Sequence, residues 1–344
     1  MMLLINRFKI PLLKKSSRVA KNKPIKRLRR RNSNKSLPYE IQELVCHFLL
    51  EDDPTNSIAL ICMRVCKSWA RFICERLYRE FQFKNYIQFI GFVNTISLHD
   101  PLFPYGSYVR NLDLTPVNKY GVDMRVRRLI KHCPNMVRIR LGPTTSVKAE
   151  TLQLMGRYCH HVHTLEMGGL QSFPFMFDCD FSGMLALKRL SLITTPLQAN
   201  SLETIPNSIR HLQITQLDAL YHDEFIQFLK HHPRLVSLSI HRCRHLNTAD
   251  LSAFIPCLPH LSVLELTGPE IGDDNVKGLF KIPIQLHTLK LSHTQISDQT
   301  LESLAFGSLT IQHLDISHNV NLTLQGLQFL LKRKKFKQLM TNLI

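Results

Sequence analysis

His241-x-Cys243-x-His245 sets three metal-capable side chains at alternate positions, where an extended backbone would turn them to one face. His160-His161-x-His163 invites the same chemistry. Cys133-Pro134 and Cys159-His160 offer thiols, one beside an imidazole, as a thiolate nucleophile would need. Arg138, Arg140 and Arg189 form a cationic set whose guanidiniums would grip an acidic or phosphorylated segment, or else belong to a plain solvated face. Carboxylates such as Glu166 and Glu265 stand alone, and no Gly-rich phosphate loop, nucleophile elbow or HExxH element accompanies them.

The elements that carry these residues decide which of them meet. Leu112, Ile139, Leu165, Leu190, Leu212, Leu238, Leu264, Leu289, Leu314 and Leu339 recur at separations of 27, 26, 25, 22, 26, 26, 25, 25 and 25 residues. From Leu112 to Leu314 each has an apolar residue three positions before it and another two after, as in Leu235-Val236-Ser237-Leu238-Ser239-Ile240. In a strand the last two apolar positions face one core and the residue between them faces out. The pattern is the leucine-rich-repeat signature, so the fold class expected is an α/β leucine-rich-repeat solenoid of about ten repeats, with a parallel concave sheet and a mostly helical convex side. Nine strand gaps of about 4.8 Å give a concave surface on the order of 43 Å along its curve, better suited to a protein than to a metabolite.

This frame reassigns the apparent chemistry. Counted from Leu235, Cys243 falls on the ninth repeat position, which the motif fills with Asn or Cys; Thr294 and Asn319 occupy the same place after Leu286 and Ile311. A small polar group there bonds the turn backbone as the chain leaves the sheet, so Cys243 has a structural task and no metal is expected. Cys133 and Cys159 sit where the convex segment returns to a strand, and Cys62 and Cys66 lie four apart in a helical stretch; all four read as buried, inert thiols. No catalytic assembly and no cofactor is expected. The concave residues that would meet a protein substrate are Arg138, Arg140, Glu166, Arg189, His211 and Lys290.

On the convex side, Ser297 is an N-cap candidate before Asp298 to Leu304, and Asn247 to Leu251 offers a similar helix start. The 22-residue step from Leu190 to Leu212 carries Pro196, Pro206 and Asn207, which predicts a loop or a single 3₁₀ turn. Phe173-Pro174-Phe175-Met176-Phe177-Asp178 reads as irregular core filler or a decorating loop. After the last helical stretch, Lys332, Arg333, Lys334, Lys335 and Lys337 would blunt the final strand edge by charge, unless a partner covers it.

The net charge of +18 is concentrated at the start: residues 1 to 36 hold 13 Lys and Arg and no acid, against 31 basic and 26 acidic residues afterwards. Such a run reads as a disordered arm, a nuclear-import or nucleic-acid patch, or a mitochondrial presequence. Nucleic acid would be met only through this leader. Met1 to Ile5 is too short for a secretory signal, and no run approaches the roughly 18 apolar residues of a membrane span, so no membrane partner is expected. Nine cysteines without a Cys-x-x-Cys fit a reducing compartment, nucleus or cytoplasm.

Between leader and repeats, Pro38 and Glu40 suit a first helical turn, and Ile41, Leu44, Val45, Phe48 and Leu49 recur at helical spacing. After Asp52-Asp53-Pro54 a second stretch carries Ile58, Leu60, Ile61, Val65, Trp69, Phe72 and Ile73, ending at Leu77-Tyr78. Leu37-Pro38-x-Glu40-Ile41, then Val65-Cys66-Lys67-Ser68-Trp69, then Leu77-Tyr78 resemble the F-box motif, and the continuation through Phe81-Gln82-Phe83 and Phe92 to Ile96 is similar to fungal F-box proteins with leucine-rich repeats. The extra Glu51-Asp52-Asp53 and the thiol of Cys62 depart from the family pattern. The resemblance implies a three-helix F-box whose Leu37, Pro38, Ile41, Leu44, Val65 and Trp69 bind a Skp-type adaptor, and through it the cullin and RING subunits of an SCF ubiquitin ligase. It implies a non-catalytic subunit whose repeats select the substrate. The organisation expected is a leader (1–36), an F-box domain (37–80), a helical linker or cap (81–106) and the repeat array (107–344). The alternative is a nuclear or nucleic-acid-associated scaffold that uses the leader and has no part in a ligase.

Overall fold

The computed structural model describes residues 37–51, 57–117, 121–142, 147–168, 179–195 and 197–343. The basic leader, the Asp52–Pro54 break, Pro196 and the Phe173–Asp178 segment lie outside the described residues.

Ten strands form one parallel sheet in strict chain order. They are β1 (Asn111–Asp113), β2 (Arg138–Arg140), β3 (Thr164–Gly168), β4 (Arg189–Ile193), β5 (His211–Thr215), β6 (Ser237–His241), β7 (Val263–Thr267), β8 (Gln285–Ser292), β9 (Thr310–Asp315) and β10 (Gln338–Met340). The recurrent leucines are the register of this sheet. Leu112 pairs with Ile139, Leu165 with Leu190, Leu238 with Leu264, and so on to Leu314 with Leu339. From Leu112 to Leu314 every one of them is buried, as are Leu114, Leu192, Ile240 and Leu291 two positions on. Each such side chain contributes roughly 1.5–3 kcal/mol by leaving water, and stacking makes the ten small contributions one core. The fold is a leucine-rich-repeat solenoid.

The convex side is helical where its sequence permits. Asp123–His132, Ala149–Tyr158, His222–His231, Asp298–Phe306 and Leu324–Arg333 are α-helices, and Ser297 caps its helix by accepting the N–H of Gln299 at 3.2 Å. Two expectations need correction. The β4–β5 connection holds one turn of α-helix, Ala199–Glu203, which ends before Pro206. Asn247 does not start a helix. It is buried, ends the short helix Arg244–Asn247 and donates to the Thr267 carbonyl at 3.3 Å. Asp250 instead caps a 3₁₀ helix, Leu251–Cys257, where Pro256 lacks the N–H that a continuous α-helix would use.

Ahead of the sheet run α1 (Tyr39–Glu51), α2 (Ser57–Cys62), α3 (Lys67–Arg79) and α4 (Tyr86–Ile96). Cys46, Leu50, Ala59, Cys62, Phe72 and Ile73 make a small core between the first three, and Trp69 is partly buried against it. Cys66 is exposed, contrary to the buried thiol expected: the chain turns after Cys62, so Cys66 is the extended residue before α3 and not its helical neighbour. The end of α3 merges into the core of the array. Tyr78 packs on Phe81, Phe92 and Tyr105, and the Arg79 carbonyl accepts the Arg110 N–H at 3.2 Å beside β1. The three-helix unit is therefore held in one orientation relative to the sheet.

Candidate functional site

Two surfaces of this frame are built for contact. On the helical unit, Leu37, Ile41, Leu44 and Phe48 follow one another at spacings of four, three and four, which is one side of a helix, and are 43–61% exposed. Ile61 and Val65, at 66% and 59%, lie in and just beyond α2. The Pro38 carbonyl starts α1 by accepting the N–H groups of Ile41 and Gln42, both at 3.1 Å, and the Pro38 ring is exposed. Trp69 differs from the exposed adaptor residues expected beside it, since it is partly buried against the internal core. Phe48 and Ile61 belong to the surface as well, and the helical spacing that carries Ile41 and Leu44 is their sequence signal. These exposed apolar side chains make the helical unit a candidate binding surface.

The second surface is the concave face, which is organised in columns. In the column after each strand leucine, charges pair with one another. Arg140 Nε donates to Glu166 Oε2 at 2.9 Å and its Nη1 lies 3.3 Å from Asp113 Oδ2. These hydrogen bonds and charges hold the guanidinium above its ordinary pKa. Lys290 lies 3.5 Å from Asp315, and Glu265 accepts from Ser239 at 3.2 Å beside His241. Arg140, Glu166 and Lys290 are thus tied down, so the expected set of three gripping arginines is reduced. The cause is register: residues at the same offset in adjacent repeats sit side by side, and these carry opposite charge.

In the column before the strand leucines the register runs Arg138, Thr164, Arg189, His211. Arg138 and Arg189 are exposed and make no ion pair among the described residues. They stand two strands apart, about 10 Å. Burial, and then the Arg189 charge beside it, lower the pKa of His211, so at neutral pH it offers a neutral ring next to that cation. This stripe, free of carboxylates, is the part of the concave face suited to an acidic or phosphorylated chain.

The sites that suggested metal or thiol chemistry do not assemble. His241 Nδ1 lies 2.7 Å from Thr267 Oγ1, His245 is exposed and stacks on Tyr221 at 4.7 Å, and Cys243 is buried with its Sγ on the His241 carbonyl. Burial pushes Cys243 up to about 11 and Cys159 up to about 12, and raises Cys133 further. Asn319, in the same repeat place as Cys243, donates to the Leu291 and Ile316 carbonyls and accepts from both the N–H and the hydroxyl of Thr294. His160, His161 and His163 are exposed near one end of β3. Among the described residues no group of three or more His, Cys, Asp or Glu is placed to hold a metal ion.

The leucine-rich-repeat family matches residues 307–331, the repeat that contains β9 and the helix after it. No curated protein sequence matches the chain. Among solved structures, the complex of Rad7 and Elc1 in yeast is similar at 14% identity and a TM-score of 0.46, over 85% of this chain and 79% of that one. An internalin (inlF) from Listeria monocytogenes is similar at 16% identity and a TM-score of 0.38, over 68% of this chain and 72% of that one. Repeat architecture and paired surfaces together make the chain a protein-interaction scaffold.

Proposed function

We propose that the chain is the substrate-recognition subunit of an SCF-type ubiquitin ligase, working in the nucleus or cytoplasm. The helical unit docks on a Skp-type adaptor, and through it on cullin and RING subunits, while the repeat array holds a protein substrate. The observation that carries this reading is the exposed apolar row Leu37, Ile41, Leu44, Phe48, Ile61 and Val65, on a unit whose own core is already satisfied by other residues. Three of its members, Leu37, Ile41 and Val65, are among the residues through which the sequence resembles the F-box motif. The chain itself would do no chemistry. It would raise the local concentration of a target near a ubiquitin-loaded enzyme, and a fixed angle between docking unit and array makes that proximity directional.

Co-purification of the full chain with a Skp-type adaptor tests the reading. The wild type is expected to retain the adaptor, and the variant carrying Pro38→Ala, Ile41→Ala and Val65→Asp to lose it while keeping its helical content. Equal recovery of the adaptor by both proteins would remove the basis for the assignment.

A further inference from the structure

Just past the ends of five strands stands a residue that is not glycine yet has positive φ: Thr194, Gln216, Arg242, His293 and His318, at 46°, 53°, 51°, 55° and 59°. Each stands four residues after its strand leucine, so the turns set these side chains in a row along the rim where the strands end. The left-handed region disfavours side chains, and glycine takes the corresponding place at Gly268. Four of the five, with Arg244 and Glu270, line a groove of about 540 Å³ at this rim.

The groove carries uncompensated groups of defined kind. Arg242 and Arg244 make no side-chain ion pair among the described residues. Asp218 shares the wall, and its Oδ1 is turned to the backbone N–H of Arg244 at 3.4 Å. Glu270 turns its Oε2 inward beside Gly268, where the oxygen is buried and out of reach of a ligand. The rings of His293 and His318 lie parallel, 4.4 Å apart with 8° between planes, and so offer a flat platform. From β6, which leads into the arginines, to β9, which leads into His318, there are three strand gaps. That is about 14 Å, or roughly four residues of extended chain.

We propose that this rim groove is a second protein-binding site, which takes an extended acidic peptide. Arg242 and Arg244 receive a carboxylate side chain, and the imidazole pair stacks an aromatic side chain about three residues further on. The site lies apart from both the apolar row of the helical unit and the Arg138–Arg189 stripe, and it stands or falls independently of the ligase reading.

Fluorescence anisotropy of the full chain tests the proposal with a labelled hexapeptide carrying glutamate at its second position and tyrosine at its fifth. The wild type is expected to bind saturably, and the Arg242→Gln, Arg244→Gln variant about tenfold or more weakly. A Lys131→Gln variant, on the convex helix Asp123–His132, removes an exposed positive charge away from both faces and is expected to match the wild type. Absence of saturable binding, equal affinity in the Arg242→Gln, Arg244→Gln variant, or equal binding of a peptide with lysine in place of the glutamate would each overturn the assignment.

Discussion

Arg140 reaches Glu166 on β3 and Asp113 on β1 at once, so one guanidinium spans three strands of the concave face. The arginine and both acids are partly in water, with the arginine and Asp113 side chains each 40% exposed, so the network is worth little to stability. Arg140→Gln should shift unfolding in urea by less than about 1 kcal/mol. It should also leave the affinity for an acidic concave-face ligand nearly intact, whereas Arg138→Gln and Arg189→Gln should each weaken it several-fold. Titration of the three variants against one phosphopeptide ligand would distinguish the tied arginine from the free ones.

On the convex side, Asp273 holds the next repeat. Its carboxylate accepts the Ser297 N–H at 2.8 Å, the Ser297 hydroxyl at 2.6 Å and the Thr300 hydroxyl. Asp298 repeats the device one repeat later with the N–H and hydroxyl of Thr323, and Asp123 does so with Lys148 N–H and the Thr151 hydroxyl. Burial alone would raise the Asp273 pKa, but the bonds from Ser297 and Thr300 outweigh it and the net shift is downward. A depressed carboxyl pKa gives stability that is complete above the unfolded value, about 3.9, and is lost as pH falls through the folded one. Asp273→Asn should be less stable than wild type at pH 7, and the gap should narrow as the pH falls below the unfolded carboxyl value. Urea titrations at pH 7, 5 and 3 measure the gap, and a constant gap would contradict the expectation.

Asn319 is a buried polar residue whose amide satisfies backbone groups of two repeats. Asn319→Ala would leave two carbonyls and the Thr294 N–H and hydroxyl short of their partner. A loss of about 2–4 kcal/mol is expected, since several buried groups lose bonds together. Asn319→Ala with Thr294→Val should recover part of it, by removing one stranded hydroxyl. Equilibrium unfolding of the single and double variants gives the comparison.

The helical unit permits a test of which apolar residues serve folding. Ile73 is fully buried, so Ile73→Ala should cost about 2–5 kcal/mol. Leu44→Asp and Val65→Asp replace exposed side chains and should change the thermal midpoint little, even though they place a charge where an aliphatic group stood. Differential scanning calorimetry of the three variants shows whether stability and surface separate in this way.

The spacing of the leucines was enough to read the strands, their order and their register, because each repeat must present the same two inward positions. The same periodicity assigned Cys243 and Asn319 to one structural place. Other features depend on distances that a single repeat does not display. The pairing of Arg140 with Glu166 was readable only by setting adjacent repeats side by side. The exposure of Cys66 follows from a turn within a stretch of helical composition. The short helix Ala199–Glu203 fits between two prolines because five residues suffice for a turn. The row of left-handed residues at the rim has no compositional mark, since Thr, Gln, Arg and His fill a place where glycine would have announced it.

The bond from the Arg110 N–H to the Arg79 carbonyl, with Tyr78 packed among Phe81, Phe92 and Tyr105, makes the junction behave as a bracket and not a hinge. A bracketed array of fixed curvature is a measuring gauge. On the function proposed above, a protein that touched both the helical unit and a particular strand would have to span one set distance, so partners would be sorted by the separation of their contact points as well as by the chemistry of each.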